Sequence, residues 1–156
     1  MRCVVIIGAI LASLISFAKA EWVAGFVDGG SVIYPRDIGE PGPMFGCNDA
    51  GRRALFIGQN DTDFIRNLSN TNLTRDIDGR RIRLIVNGET VYKGRALYLP
   101  TWKMYQTTDL AAFRITYNAA VQGKSVIWKS GKGGELNLYM PPADDTFRRF
   151  AACLSR

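Results

Sequence analysis

Along most of the chain, apolar and polar residues alternate in short runs broken by glycine, proline and asparagine, the period-two signature of half-buried strands. Trp22-Val-Ala-Gly-Phe-Val27 and Ser31-Val-Ile-Tyr34 flank the breaker Asp28-Gly29-Gly30 and predict two strands about a turn. Met44-Phe-Gly-Cys47 and Arg53-Ala-Leu-Phe-Ile-Gly58 predict the next pair, separated by Asn48-Asp-Ala-Gly51. The clearest hairpin comes later. Ile82, Leu84 and Val86 alternate with Arg81, Arg83 and Ile85 ahead of Asn87-Gly88, the dipeptide preferred in a type I′ turn. Residues 89–93 return antiparallel, and strand character continues through 95–99 and 102–106 across Pro100. Proline donates no ladder hydrogen bond, so it marks an edge or a bulge. Ser125-Val-Ile-Trp128 and residues 135–140 close the series around the glycine-rich turn 130–134.

Two stretches carry helical spacing instead. Leu110, Phe113, Tyr117 and Val121 fall on one face, Gly123 stops the helix, and Thr107 or Thr108 can cap it, with Asp109 at the positive end of its dipole. After Pro141-Pro142, Phe147, Phe150, Ala151 and Leu154 share an i, i+3, i+4, i+7 face that begins at Asp144 or Thr146 and ends at Arg156. The expected fold is mainly β: an antiparallel sandwich or flattened barrel of about seven to nine strands with two short helices, one of them C-terminal.

The start of the chain follows another pattern. Met1-Arg2-Cys3 is a short basic opening, residues 4–17 are an unbroken apolar run, and Ala18-Lys19-Ala20 has the A-x-A form of a cleavage site. Together they predict a secretory signal peptide over residues 1–20 and a single mature domain over 21–156. The apolar run of 14 residues falls short of the roughly 20 that a membrane-spanning helix needs. Cys3 precedes the run, so it is no lipid-bearing cysteine at the cleavage site. No later stretch is long and apolar enough to span, and the expected location is periplasmic or secreted.

Export changes the charge and the cysteine count. Loss of Arg2 and Lys19 lowers the basic residues from 20 to 18 against 14 acids, so a net charge of +6 becomes +4. That suits an anionic surface or an acidic partner, while a dedicated nucleic-acid binder would be more basic and more clustered. Cys47 and Cys153 remain, and two thiols in an oxidising compartment pair. The bridge would close a loop of about 100 residues, for which chain entropy sets an upper value of about 4.7 kcal/mol. A redox role would favour C-x-x-C, and a zinc site needs more ligands than these two.

The chain has no histidine. Ser-His-Asp and Cys-His mechanisms are therefore absent, together with most zinc and copper sites. Gly123-Lys124-Ser125 echoes the end of a phosphate-binding loop, but Asn118 stands where the motif needs glycine, and helix and strand come in the reverse order. Residues 130–134 read as a hairpin turn rather than an anion nest. Asp76 and Asp78 resemble part of a calcium loop, yet Thr74 and Ile85 occupy its first and twelfth positions. Asp61 and Asp63 lack the apolar pocket that would set a catalytic pair apart. The expectation is a protein that is not an enzyme and takes no cofactor or metal.

What remains is a basic patch, Arg75, Arg80, Arg81 and Arg83, with Lys93 across the hairpin. Its bland reading is edge protection, and its functional reading is a surface for an anionic partner. Tyr98, Trp102 and Tyr105 either flank the patch or belong to the core. N-x-S/T triplets at Asn60, Asn67 and Asn72 would be glycan acceptors in a eukaryotic secretory protein and an exposed polar loop otherwise.

The layout resembles the small exported β proteins of proteobacteria, namely the invasion-associated locus B family and periplasmic proteins associated with type VI secretion. The points of likeness are the signal peptide followed directly by Trp22 and the Phe45-Gly-Cys47 strand leading into residues 53–58. Further on come the helix near residues 111–123, a strand–turn–strand, and the ending Phe147-x-x-Phe150-x-x-Cys153. Residues 37–43 and 60–75 depart from that layout. The resemblance implies a periplasmic or secreted β-sandwich linked to envelope or host interaction, without catalytic residues to carry over. Two functions are expected in consequence. One is a non-enzymatic envelope or secreted binding protein that meets an envelope or host protein, or an anionic surface, through the arginine face. The other is a periplasmic inhibitor that plugs an enzyme cleft with residues 37–43 or 60–75.

Overall fold

The computed structural model describes residues 21–27, 29–36, 41–58, 80–99, 103–131 and 133–154. The expected signal peptide over residues 1–20, Arg75, Trp102, the three N-x-S/T triplets and the acidic pairs at 61/63 and 76/78 all lie outside the described residues. So do residues 37–40 and 60–75, the greater part of the two loops on which an inhibitor would depend.

Nine strands are present among the described residues: β1 (Trp22–Val27), β2 (Gly30–Pro35), β3 (Pro43–Asn48), β4 (Arg53–Gly58), β5 (Arg80–Val86), β6 (Glu89–Leu99), β7 (Met104–Thr107), β8 (Val126–Ser130) and β9 (Gly134–Leu138). Two α-helices accompany them among the described residues, α1 (Leu110–Val121) and α2 (Asp145–Phe150), the latter running into a 3₁₀ turn over Ala151–Leu154. The mainly antiparallel β architecture expected from the sequence is what forms. Its strands make one sheet in the order β1-β2-β3-β4-β7-β6-β5-β8-β9, and that sheet is not closed.

The continuity of the sheet comes from β6. At 11 residues it is the longest strand; its first part pairs with β5 as far as Ala96, and Leu97–Leu99 pair with β7. One strand thus belongs to both halves, and their inner faces share one core. Tyr105 on β7 stands 5.5 Å from Trp128 on β8, ring centre to ring centre, and 5.3 Å from Tyr98 on β6. Its hydroxyl donates to Ser130 Oγ at 2.9 Å, which satisfies a polar group in a position without solvent access. Tyr98 and Tyr105 are core residues rather than a rim to the basic patch.

The helices cover the rest of that core. Asp109, rather than Thr107 or Thr108, is the N-cap of α1 and accepts from the N–H groups of Ala111 and Ala112. Thr107 stands one layer behind, accepting from the Asp109 N–H and donating to the Arg95 carbonyl. Gly123 ends the helix at φ 63°, with its own N–H bonded to Ala120 O and that of Lys124 to Ala119 O, a Schellman motif. This confirms Gly123 as a helix stop. The buried stripe differs from the expected one: Phe113 and Tyr117 are inside, but Leu110 and Val121 are 40% and 53% exposed. Ala112, Thr116, Ala119 and Ala120 take their place, because small residues let α1 lie close to β3, β4 and β6.

α2 closes the end of the core against β1. Phe147 is fully buried, with its ring 4.4 Å from Trp22 and stacked on Tyr117 at 4.7 Å. Removal of such a ring costs about 3–5 kcal/mol. Ala151, expected on the buried face, is exposed, because the chain tightens from α to 3₁₀ geometry after Phe150 and rotates it outward. Cys47 is buried on β3. The 3₁₀ turn that carries Cys153 packs beside that strand, and the Cys153 side chain lies outside the described residues. No helix among the described residues is long and apolar enough to cross a membrane.

Candidate functional site: a cationic sheet face

The turn at Asn87-Gly88 takes positive φ at both positions, 50° and 85°, as a type I′ turn requires. From there β5 alternates as the sequence reading expected: Ile82 and Leu84 are buried, and Arg81 and Arg83 are exposed on the opposite face. The return strand is displaced. Ile85 opposes Thr90, but Leu84 opposes Tyr92, which leaves Val91 as an extra, unopposed residue. Without that bulge Lys93 would oppose Ile82 and share its inward face. With it, Lys93 opposes Arg83 and Arg95 opposes Arg81, because a one-residue slip exchanges the two faces of a strand.

A third strand adds to the array. β8 lies on the other side of β5, and its Lys129 opposes Arg83. Five cations therefore occupy one face in two rungs, Lys93–Arg83–Lys129 and Arg95–Arg81. Neighbouring strands stand about 4.8 Å apart and same-face residues about 6.8 Å apart, which sets the pitch of the grid. The second rung ends at Gly131, which has no side chain. These residues line an open trough of about 920 Å³. Glu135 on β9 pairs with Lys129 beside it. β8 and β9 pair antiparallel with Ser130 opposite Gly134, as the hairpin reading expected.

The floor of the trough is fixed from below. Tyr92 folds along its own strand over Gly94, so that a Cβ on Gly94 would collide with the phenol. The Tyr92 hydroxyl is buried near the Asp109 cap of α1, without a hydrogen-bond partner among the described residues. Burial, and then the Asp109 carboxylate beside it, push its pKa up to about 12. Burial alone would raise the Asp109 pKa. The Tyr92 hydroxyl and the N–H groups of Ala111 and Ala112 outweigh it and hold that carboxyl below its ordinary value. Thr107, bonded to both the Arg95 carbonyl and the Asp109 N–H, ties this part of β6 to the start of α1.

Arg81 and Arg83 thus stand on the grid, and Lys93 joins them. Arg80 does not belong to it. It opposes Ala96, sits on the inward side near Tyr105, and its Nε is buried without a hydrogen-bond partner among the described residues. Arg95 and Lys129 were missed by sequence reasoning. Arg95 becomes visible only once the bulge is known, and Lys129 only once β5 is known to pair with β8. Three cations side by side in a ladder oppose one another, because like charges directly opposite destabilise a sheet. The arrangement supplies dense, accessible positive charge on one face of the sheet. No protein-family profile, curated relative or solved structure matches this chain.

Proposed function

We propose that the chain is an exported, non-enzymatic binding protein whose β5–β6–β8 face docks on an anionic, phosphate-bearing surface such as a layer of acidic lipid headgroups. The observation that carries this reading is the ladder itself. Arg83 stands between Lys93 and Lys129, and Arg81 stands beside Arg95, with Glu135 at the rim. Edge protection does not account for it, because β5 lies inside the sheet with a neighbour on each side. The open shape of the trough favours a broad surface over a small enclosed ligand. Export rests on residues 1–20, and we propose in the same setting that Cys47 pairs with Cys153. An envelope-facing role is also what the likeness to the invasion-associated locus B layout implies.

The test is sedimentation of the mature, oxidised protein with vesicles of phosphatidylglycerol or of phosphatidylcholine. Expected is capture by the acidic vesicles alone, reversed by salt and lost when Arg81, Arg83 and Lys93 are all changed to Glu. Equal capture by neutral vesicles, or capture that survives the triple change, overturns the reading. So does binding to a soluble acidic protein with none to acidic vesicles.

A further inference from the structure

The first described residue of β1's approach is held by a single carboxylate from the far end of the chain. Asp144, the N-cap of α2, accepts the Phe147 N–H on Oδ1 at 2.9 Å. Its other oxygen, Oδ2, accepts the backbone nitrogens of Glu21 at 2.9 Å and Trp22 at 3.1 Å. The neighbourhood is rigid. Trp22 is buried, and its indole N–H is shared between the carbonyls of Pro141 and Pro142 at 3.2 Å each. The Glu21 carbonyl accepts from the Arg36 N–H at 2.7 Å, which extends the β1–β2 ladder by one residue. Glu21 N is therefore fixed in place, and it is the nitrogen that cleavage after Ala20 would free.

We propose that the α-amino group released at Glu21 by removal of residues 1–20 becomes an ammonium ion paired with Asp144, so that processing itself completes the junction between the start and the end of the mature chain. Hydrolysis of the Ala20–Glu21 peptide adds one water: hydroxide goes to the Ala20 carbonyl, and the proton goes to the Glu21 nitrogen. A second proton from solvent charges the amine below its pKa. The neutral N–H that faces Oδ2 is thus replaced by an ammonium at the same position. The proposal rests on the export part of the reading above and is independent of the cationic face.

Charged groups of both signs stand around the Glu21 nitrogen. Glu21's own carboxylate lies close, accepting from the Tyr139 hydroxyl at 3.5 Å. Asp145 on α2 is engaged by Arg148. Arg36, after β2, is the nearby cation on the Glu21 carbonyl side. Opposite charge within about 4–6 Å raises the pKa of an amine. A pKa raised in the folded state contributes stability that is fully present below the unfolded value of about 8 and is lost as pH rises through the folded value.

The experiment begins with the amino-terminal mass of the exported protein. A start at any residue other than Glu21 overturns the assumed cleavage site. The chain beginning at Glu21 is then compared with one that retains Ala20, which keeps the Glu21 N–H as an amide but moves the charge away, and with Asp144→Asn. The Glu21 amine of ¹⁵N-glutamate-labelled protein is titrated by NMR, and melting temperature is followed against pH. Expected is an amine pKa raised by about one unit over the ordinary α-amino value. The Glu21-start chain should melt higher than the Ala20-start chain at neutral pH and lose that advantage above the raised pKa. An ordinary amine pKa, or an advantage that persists unchanged through alkaline pH, overturns the ion pair while leaving export intact. Should Asp144→Asn fail to fold, the Ala20-start comparison still decides.

Discussion

Arg83 is the centre of the cation ladder, and Arg83→Glu should move stability and binding in opposite directions. In the native protein Arg83 meets Lys93 on one side and Lys129 on the other. The change converts two like-charge cross-strand pairs into two opposite-charge pairs. Each such exposed pair is worth roughly 0.2–1 kcal/mol, screened by water and salt. Lys129 is already engaged by Glu135, so its share falls at the low end. A net gain of about 1 kcal/mol follows, which for a domain of this size is about 3 °C in Tm. Against an acidic lipid surface each cation contributes about 1 kcal/mol, so a reversal costs about 2 kcal/mol, close to a 30-fold loss of partitioning. Arg114→Glu on the exposed side of α1 changes net charge by the same amount and serves as the control. Calorimetry at low and high salt, together with vesicle partitioning, reads both effects, and both should fade as the Debye length shrinks. A Tm that falls or stays level at low salt refutes the claim that the ladder is held at a cost. Partitioning reduced no more than by Arg114→Glu refutes the claim that the face binds.

Three further outcomes follow from the surrounding structure. Gly94→Ala should destabilise by about 1–3 kcal/mol in urea unfolding, because the new methyl group meets the Tyr92 phenol; in a Tyr92→Ala background the same change should cost far less. Tyr92 has a folded pKa of about 12, above its ordinary value, so its contribution is intact below pH ~10 and declines as pH rises from there toward 12. Urea unfolding across that alkaline window should show a steeper loss for the native protein than for Tyr92→Phe. Cys153→Ser should lower Tm and resistance to proteolysis by up to the ~4.7 kcal/mol limit for a loop of that length, and equal melting of the oxidised native protein and the mutant would rule out the Cys47–Cys153 bridge.

What could be read from the sequence was whatever local chemistry decides. Asn87-Gly88 announced its turn because few other residues tolerate positive φ at two successive positions. Asp144 announced α2, and Gly123 announced the end of α1, because caps are settled within four residues of themselves. The helix face of α1 was misjudged for the opposite reason. Large residues spaced at 110, 113, 117 and 121 suggested a stripe, whereas the approach of β3, β4 and β6 selects the alanine side.

The cationic face shows why a site can be half legible. Arg81 and Arg83 follow from alternation within one strand. Lys93 and Arg95 follow from where Val91 sits, and a bulge leaves no mark in a hydrophobic pattern, since residues 89–95 contain no apolar alternation to violate. Lys129 depends on a pairing between strands separated by a helix and two further strands. The charge that makes this face distinctive is therefore a product of register, and two of its five cations, Lys93 and Arg95, would leave it if β6 slipped back by one residue while every element kept its place in the sequence. The grip of Asp144 on Glu21 belongs to the same class, since it joins groups 123 positions apart. Local signals specify which pieces form; the chemistry on offer here is set by how those pieces are brought into register.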